Sequence, residues 1–349
     1  MSHKQATLSL LGIAAFVFMA LSVWWVEHEA PQANIHSFGD ALWYAVITLT
    51  TVGYGDNYPV TPAGKLLGLT FVLGSVSLLG ALISQINSYW QTKMEDKKRG
   101  YLGTHFTRHV IIIGWNAHGR QVAQEILKAG RQLAIITASR ESLELIRAEL
   151  PQKQVYVLLS EINQLDLIAR ANPDEAVSIF LNIEDDTQSL VQVLNLKRRF
   201  TRPEYIVAVR NSDLKETFRA AGVRYIVSQN EIISRLVASY VFEPEVAQMT
   251  EELMEVSTTM SEHDLMQIPV SRKSTIIGQD YREEFFTFKT KYNAILIGLS
   301  RKNGVGKYEI WRNPSQSLTI AEGDYLILMA DGAAKQRISE DFQVREGRH

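Results

Sequence analysis

Apolar residues are distributed unevenly along this chain. An uncharged run, TLSLLGIAAFVFMALSVWWV, extends from Thr7 to Val26, and a second extends from about Lys65 to Trp90, with no charge after Lys65 until Lys93. At about 1.5 Å per residue, the twenty residues of the first run match a hydrocarbon layer of about 30 Å, so each run predicts a spanning helix. A cleavable signal peptide is the other reading of the first run. Its apolar region is ordinarily shorter, and nothing after Val26 resembles a small-residue cleavage site. From His109 the pattern changes to short apolar runs at 109–114, 132–137, 154–160, 176–182, 204–209 and 224–228, separated by amphipathic stretches at 119–129, 141–149, 162–170, 186–200 and 212–221. Apolar runs alternating with helices predict a parallel, doubly wound sheet buried on both faces.

Composition narrows the function. The 349 residues suffice for two or three domains, and 36 Lys+Arg stand against 38 Asp+Glu. That balance excludes a strongly cationic nucleic-acid coat, and no nucleic-acid partner is expected. Cysteine is absent, which excludes disulfides, thiolate nucleophiles and Cys-based zinc sites. Charge also sets orientation. His3 and Lys4 precede the first run, Glu27, Glu29, Asp40 and Asp56 lie between the runs, and Lys93, Lys97, Lys98 and Arg99 follow the second. The positive-inside rule then places both termini in the cytoplasm of a cell-membrane protein with two crossings.

The segment between the crossings carries the chemistry. Residues 38–51, FGDALWYAVITLTT, are too short to span but can dip into the bilayer, and Val52-Gly53-Tyr54-Gly55-Asp56 follows at once. Non-helical backbone is tolerated at membrane depth only where protein or a water-filled path surrounds it. Glycines flanking a tyrosine permit torsions that place successive carbonyls on one side, where a ring of them replaces a cation's hydration shell. One chain supplies one wall of such a ring, so several copies must surround an axis.

Thr51-Val52-Gly53-Tyr54-Gly55-Asp56 resembles the selectivity filter of potassium channels. The resemblance implies that Thr51, Val52, Gly53, Tyr54, Gly55 and Asp56 form a K⁺ path, and that Trp43 braces it by hydrogen-bonding Asp56. Ile47 stands where that family often has a buried Glu, which should simplify the hydrogen bonding behind the filter. The second run becomes the pore-lining inner helix, with a hinge at Gly74 and a second flexible point at Gly80. Close helix packing is the other use of these glycines. No regularly spaced arginines precede the pore, so voltage sensing through such charges is not expected.

Residues 91–108 read as a linker, helical to about Lys98. The loop Gly114-Trp115-Asn116-Ala117-His118-Gly119-Arg120 resembles the G-x-G-x-x-G dinucleotide fingerprint, with Asn116 in the middle glycine's place. The second strand ends Ile136-Thr137-Ala138-Ser139-Arg140, without the usual ribose-binding acid, and Arg140 suits a phosphate instead. The candidate contacts to an NAD- or ADP-like nucleotide are Gly114, Asn116, Gly119, Arg120 and Arg140; a scaffold that binds nothing is the alternative.

Together with the pore, this region resembles the RCK domain (regulator of K⁺ conductance) of prokaryotic ligand-gated potassium channels. The implied architecture is multidomain. An α-helical two-transmembrane pore occupies 1–90, and a Rossmann-like α/β lobe occupies 109–228. Crossover helices at 229–256 pair domains into dimers, and a small α+β C-terminal lobe follows at 264–342. The resemblance also implies a homotetrameric pore in the lipid bilayer above a gating ring of eight domains. Four of those would come from a soluble product, which Met94 could start, or from another ring arrangement. Gating would be by nucleotide, Ca²⁺ or both. Glu184, Asp185 and Asp186 are the candidate metal ligands, with a helix cap as their other reading; Glu262, His263 and Asp264 form a second cluster. Two further readings are a membrane-anchored NAD(P)-dependent oxidoreductase and a regulatory subunit of a potassium transporter.

Overall fold

The computed structural model describes residues 3–304, 307–314 and 317–347, with the side chains of 3–11 and 78 outside that description. The first five residues of the initial apolar run and the flanking His3 and Lys4 therefore have no described side chains, and residues 305, 306, 315 and 316 of the small lobe lie outside it altogether. The chain divides into two compact units, Met1–Asp96 and Lys97–His349.

The first unit holds α1 (His3–Glu27), α2 (Phe38–Leu49) and α3 (Pro62–Arg99). Ser37 and Asp40 form a capping box at the start of α2, satisfying backbone donors that a helix N-terminus leaves open. Val23, Ile35, Ala41 and Tyr44 pack as one core group, and Ala20, Ala45 and Phe71 as another. Among the described residues, α3 is the one helix long and apolar enough to cross a membrane, with a mean hydropathy of 2.3. The described apolar stretch of α1, Gly12–Glu27, is shorter than a full span. Leu66, Leu69, Leu73 and Val76 of α3 are exposed, an apolar surface suited to lipid or to other copies.

The second unit contains two sheets. Its parallel sheet runs in the order β3-β2-β1-β4-β5-β6, made of β1 (Val110–Ile113), β2 (Leu133–Thr137), β3 (Val155–Leu159), β4 (Ser178–Leu181), β5 (Glu204–Val209) and β6 (Tyr225–Ser228). On β1, Ile112 faces Ile135 on one side and Phe180 on the other. Between the strands run α4 (Ala117–Lys128), α5 (Arg140–Glu149), α6 (Leu165–Ile168), α7 (Asp186–Arg199) and α8 (Lys215–Ala220). An apolar core lies on each face of the sheet, as a doubly wound fold requires. The helix predicted at 162–170 is reduced to α6 and short 3₁₀ turns. Asn172 adopts a left-handed φ of 53°, and Pro173 opens the next turn; proline cannot continue a helix.

The helix pair α9 (Gln229–Phe242) and α10 (Pro244–Met254) leads to the small lobe. There β7 (His263–Pro269), β8 (Ile295–Lys302), β9 (Tyr308–Arg312) and β10 (Tyr325–Asp331) form an antiparallel sheet in the order β7-β10-β8-β9, with α11 (Tyr281–Thr287) and α12 (Gly332–Phe342) beside it. Residues 97–108, expected as part of a linker, are instead stitched onto the parallel sheet. The Tyr156 phenol donates to the Gly100 carbonyl, Thr104 N donates to Arg170 O at 2.9 Å, and Arg108 N donates to Glu175 O at 2.7 Å. A side chain at Gly100 (φ 82°) would strike the Val157 carbonyl. Burial pushes the Tyr156 phenol well above its usual range, so it stays a neutral donor.

Candidate functional site

The C-terminus of α2 feeds directly into the filter-like segment. Thr51, Gly53 and Gly55 have φ of 58°, 58° and 74°, and the intervening Val52 and Tyr54 do not share that region. Alternation of left- and right-handed torsions turns successive peptides so that carbonyls gather on one side and N–H groups on the other. The N–H side is held: Val52 N and Gly53 N both donate to Ile47 O, at 3.0 and 3.2 Å. Ile47 itself is buried, so an apolar side chain fills the place where a Glu was expected in the resemblance. Thr51 through Asp56 are exposed in the single chain.

Behind the segment, Trp43 Nε1 donates to Asp56 Oδ2 at 2.7 Å, and the Trp43 and Tyr54 rings stack with centroids 6.1 Å apart. Asn34 Nδ2 donates to Asp56 O, and Tyr58 N donates to Asn34 Oδ1, each at 3.1 Å. Glu27, read from sequence only as a flanking charge, is fully buried. It accepts from Val60 N, Thr61 N and Thr61 Oγ1 at 2.9, 3.0 and 2.6 Å, tying the end of α1 to the start of α3. A Cβ on Gly64 would run into its carboxylate, a contact between distant segments that no periodicity reveals. Gly68 likewise packs on Tyr44, whose hydroxyl lies 2.8 Å from where its Cβ would be, whereas Gly74 and Gly80 have nothing within 4 Å. Among the α3 glycines of one chain, Gly64 and Gly68 are thus the close-packing ones.

In the second unit, β1 and β4 are the strands between which the order reverses. A crevice of about 230 Å³ opens there, lined by Asn116, His118, Asn182, Glu184, Arg210 and Gln229 among others. Such switch points are where open α/β sheets bind ligands. Gly114 (φ 96°) allows the turn, since a Cβ there would meet the Asn182 carbonyl. Asn116 is the N-cap of α4, accepting from Gly119 N at 3.0 Å. Asn182 Nδ2 donates to Asn116 Oδ1 at 2.8 Å and lies 2.5 Å from where a Gly119 Cβ would be. The helix terminus that would hold a pyrophosphate is therefore occupied by an asparagine pair. Arg120 turns to Glu149, at 3.1 Å, and Arg140 is exposed at the start of α5. Of the nominated contacts, Asn116 borders the crevice; His118, Asn182, Arg210 and Gln229 were missed, because their strand ends converge only in the fold.

Two family models match: an ion-channel model over residues 6–91 and a TrkA-N domain model over residues 110–229. A calcium-gated potassium channel of Thermoplasma volcanium, TvoK, is 25% identical over 327 residues, covering 87% of this chain and 85% of that protein. A probable potassium channel of Methanocaldococcus jannaschii is 23% identical over 297 residues, covering 82% and 83%. The chain thus joins an ion-channel region to a TrkA-N (RCK) domain and is similar over most of its length to prokaryotic potassium channels. Among solved structures, the GsuK channel bound to NAD aligns over 97% of this chain with 15% identity and a TM-score of 0.44; this chain spans 60% of that one.

The ion-channel match and the potassium-channel relatives set aside the membrane-anchored oxidoreductase. The RCK acids Glu184, Asp185 and Asp186 do not converge. Asp185 caps α7 through Gln188 N at 2.6 Å, Asp186 accepts from Arg210 N and Asn211 N, and Glu184 lies 3.5 Å from Arg210. Among the described residues, no three His, Asp or Glu side chains gather where they could hold a metal ion. Neighbouring acids on one loop diverge here because Asp185 and Asp186 bond different backbone N–H groups while Glu184 turns to a guanidinium. The second cluster also disperses: Glu262 caps a turn at Thr258 and Thr259, while buried Asp264 pairs with Lys335 at 3.0 Å.

Proposed function

We propose that this channel is potassium-selective and ligand-gated, with four copies lining the pore through Thr51, Val52, Gly53 and Tyr54 and both termini in the cytoplasm. The alternating φ signs from Thr51 to Gly55 carry this reading: they favour four converging rows of carbonyl oxygens, which replace a K⁺ hydration shell. Trp43 and Asp56 brace that segment, and the Gly74 region of α3 bends to gate it. The RCK units form a ring whose ligand shifts the open–closed equilibrium by its differential affinity for the two states. The crevice at the β1–β4 switch favours a nucleotide as that ligand. At about 230 Å³ it is below the roughly 300–1,000 Å³ of typical ligand sites, so it suits one nucleotide moiety rather than a whole dinucleotide. Calcium gating, the property named for TvoK, would need ligands other than Glu184, Asp185 and Asp186 in their present bonds. The test is K⁺ over Na⁺ flux through reconstituted protein, titrated with NAD, ADP and Ca²⁺ on the RCK side. Absence of K⁺-selective flux overturns the pore reading; flux that ignores all three ligands overturns the gating reading alone.

A further inference from the structure

The crevice at the β1–β4 switch is built around two amides whose orientation the backbone fixes. The Gly119 N–H can only donate, so Asn116 must present Oδ1 to it, at 3.0 Å. Asn182 then has to turn its Nδ2 to that same oxygen, at 2.8 Å, and this Nδ2 also reaches the Gly114 carbonyl at 3.4 Å. Asn182 is only 9% exposed, yet it lines the crevice. Among the described residues, nothing donates to its Oδ1. Buried polar atoms ordinarily find a partner, so this oxygen stands as an acceptor open to a ligand. Gln229, the first residue of α9, lines the same space and brings an amide donor and acceptor to it.

Phosphate has no comparable seat. Gly119 N, a donor that a helix terminus would offer to phosphate, is taken by Asn116. Arg120 is turned to Glu149. The guanidinium in the lining, Arg210, lies 3.5 Å from Glu184 of the same lining, and the two formal charges offset each other. Building on the nucleotide reading of this crevice, we propose that it recognises the uncharged nucleoside part of its effector, an amino-bearing base such as adenine, and draws no affinity from phosphate. Asn182 Oδ1 accepts from the exocyclic amino group and the Gln229 amide pairs with the adjoining ring edge, as amide side chains do when they read adenine. Adenosine and ADP are then equivalent at this site, and the channel does not register phosphorylation state.

The test is calorimetric titration of the full-length protein in detergent with adenosine, ADP and inosine. Adenosine and ADP should bind within about threefold of each other. Inosine, which puts a carbonyl where adenine has its amino group, should bind about tenfold more weakly or worse. In Asn116→Gly, which frees Gly119 N, ADP should bind about tenfold more tightly than adenosine. A second measurement needs no variant: 8-azidoadenosine should photolabel the peptides that carry Asn182 and Gln229, read by mass spectrometry, and excess adenosine should remove the label. A clear wild-type preference for ADP over adenosine, equal binding of inosine and adenosine, or no gain of preference in Asn116→Gly overturns the proposal and leaves a nucleotide in the crevice standing. Binding of none of the three, or label confined to other peptides, overturns that reading and the proposal with it.

Discussion

The indole of Trp43 and the carboxylate of Asp56 are joined by a 2.7 Å hydrogen bond, so α2 grips the last residue of the filter-like segment. With an apolar Ile47 behind the segment, no side-chain carboxylate from that position shares the task. Trp43→Phe keeps a ring against Tyr54 and removes the donor. Macroscopic K⁺ currents should then decay several-fold faster during sustained opening, with the purified protein's thermal stability nearly unchanged. Asp56→Asn retains an acceptor without the charge and should fall between the two. Decay unchanged in Trp43→Phe would mean the bond does not hold the filter.

At Gly53, an added methyl meets nothing within 4 Å, so the penalty is torsional. Left-handed φ costs an L-residue about 1–2 kcal/mol, and every subunit around the pore bears it. Gly53→Ala should abolish K⁺-selective flux, and semisynthetic D-alanine at the same position should restore it, because its preferred φ is positive. Equal loss with both enantiomers would point to sterics between copies instead.

Glu27 is a buried acceptor for three donors. Truncating it to Ala leaves those donors unpaired in an apolar place, which costs about 3 kcal/mol or more. Thermal unfolding of the purified channel should shift down strongly for Glu27→Ala and less for Glu27→Gln, which keeps one acceptor oxygen. Similar melting of Glu27→Ala and wild type would show that water reaches the site.

The RCK unit should carry a proton-linked weakness at His109. Burial pulls its pKa below the ordinary 6.5, outweighing the Ala171 carbonyl bond; Nε2 lies 2.8 Å from that carbonyl, and Nδ1 is buried without a partner. The unfolded chain therefore binds the proton more readily. Stability is complete above pH 6.5 and declines as pH falls through that value, levelling below the folded pKa. The drop in melting temperature between pH 7.5 and pH 5 should shrink in His109→Gln, whose amide can still donate to Ala171. An equal drop in both proteins would assign the acid sensitivity elsewhere.

Asn116 can be tested as an obstacle. Glycine at an N-cap loses only a few tenths of a kcal/mol relative to asparagine, while freeing Gly119 N and the space beside it. Asn116→Gly should therefore bind ADP more tightly than wild type by calorimetry, at little cost in melting temperature. Weaker binding would show that the Asn116 amide is itself a ligand contact.

Much of this was legible in the sequence where local chemistry decides. The six parallel strands were readable from runs such as VIII and LAIIT, because strands buried on both faces are apolar throughout. The filter segment was readable because glycine is the residue that left-handed torsion selects. The Trp43–Asp56 bond followed from the family resemblance. What stayed hidden depends on chain segments meeting: Glu27 on Thr61 and Asn182 on Asn116. The acid triplet misled for the same reason, since adjacency along a loop says nothing about where each carboxylate points.

Helix α3 continues without interruption to Arg99, and the nine residues after it are pinned to the Rossmann sheet through Gly100, Thr104 and Arg108. A flexible tether would absorb a displacement of the sheet before the pore felt it. The stretch from 100 to 108 is no such tether, being hydrogen-bonded to the Rossmann lobe. Lengthening it with inserted glycines should therefore uncouple effector from conductance, whereas rigid shortening should alter the resting bias of the gate, much as trimming a pushrod resets a valve.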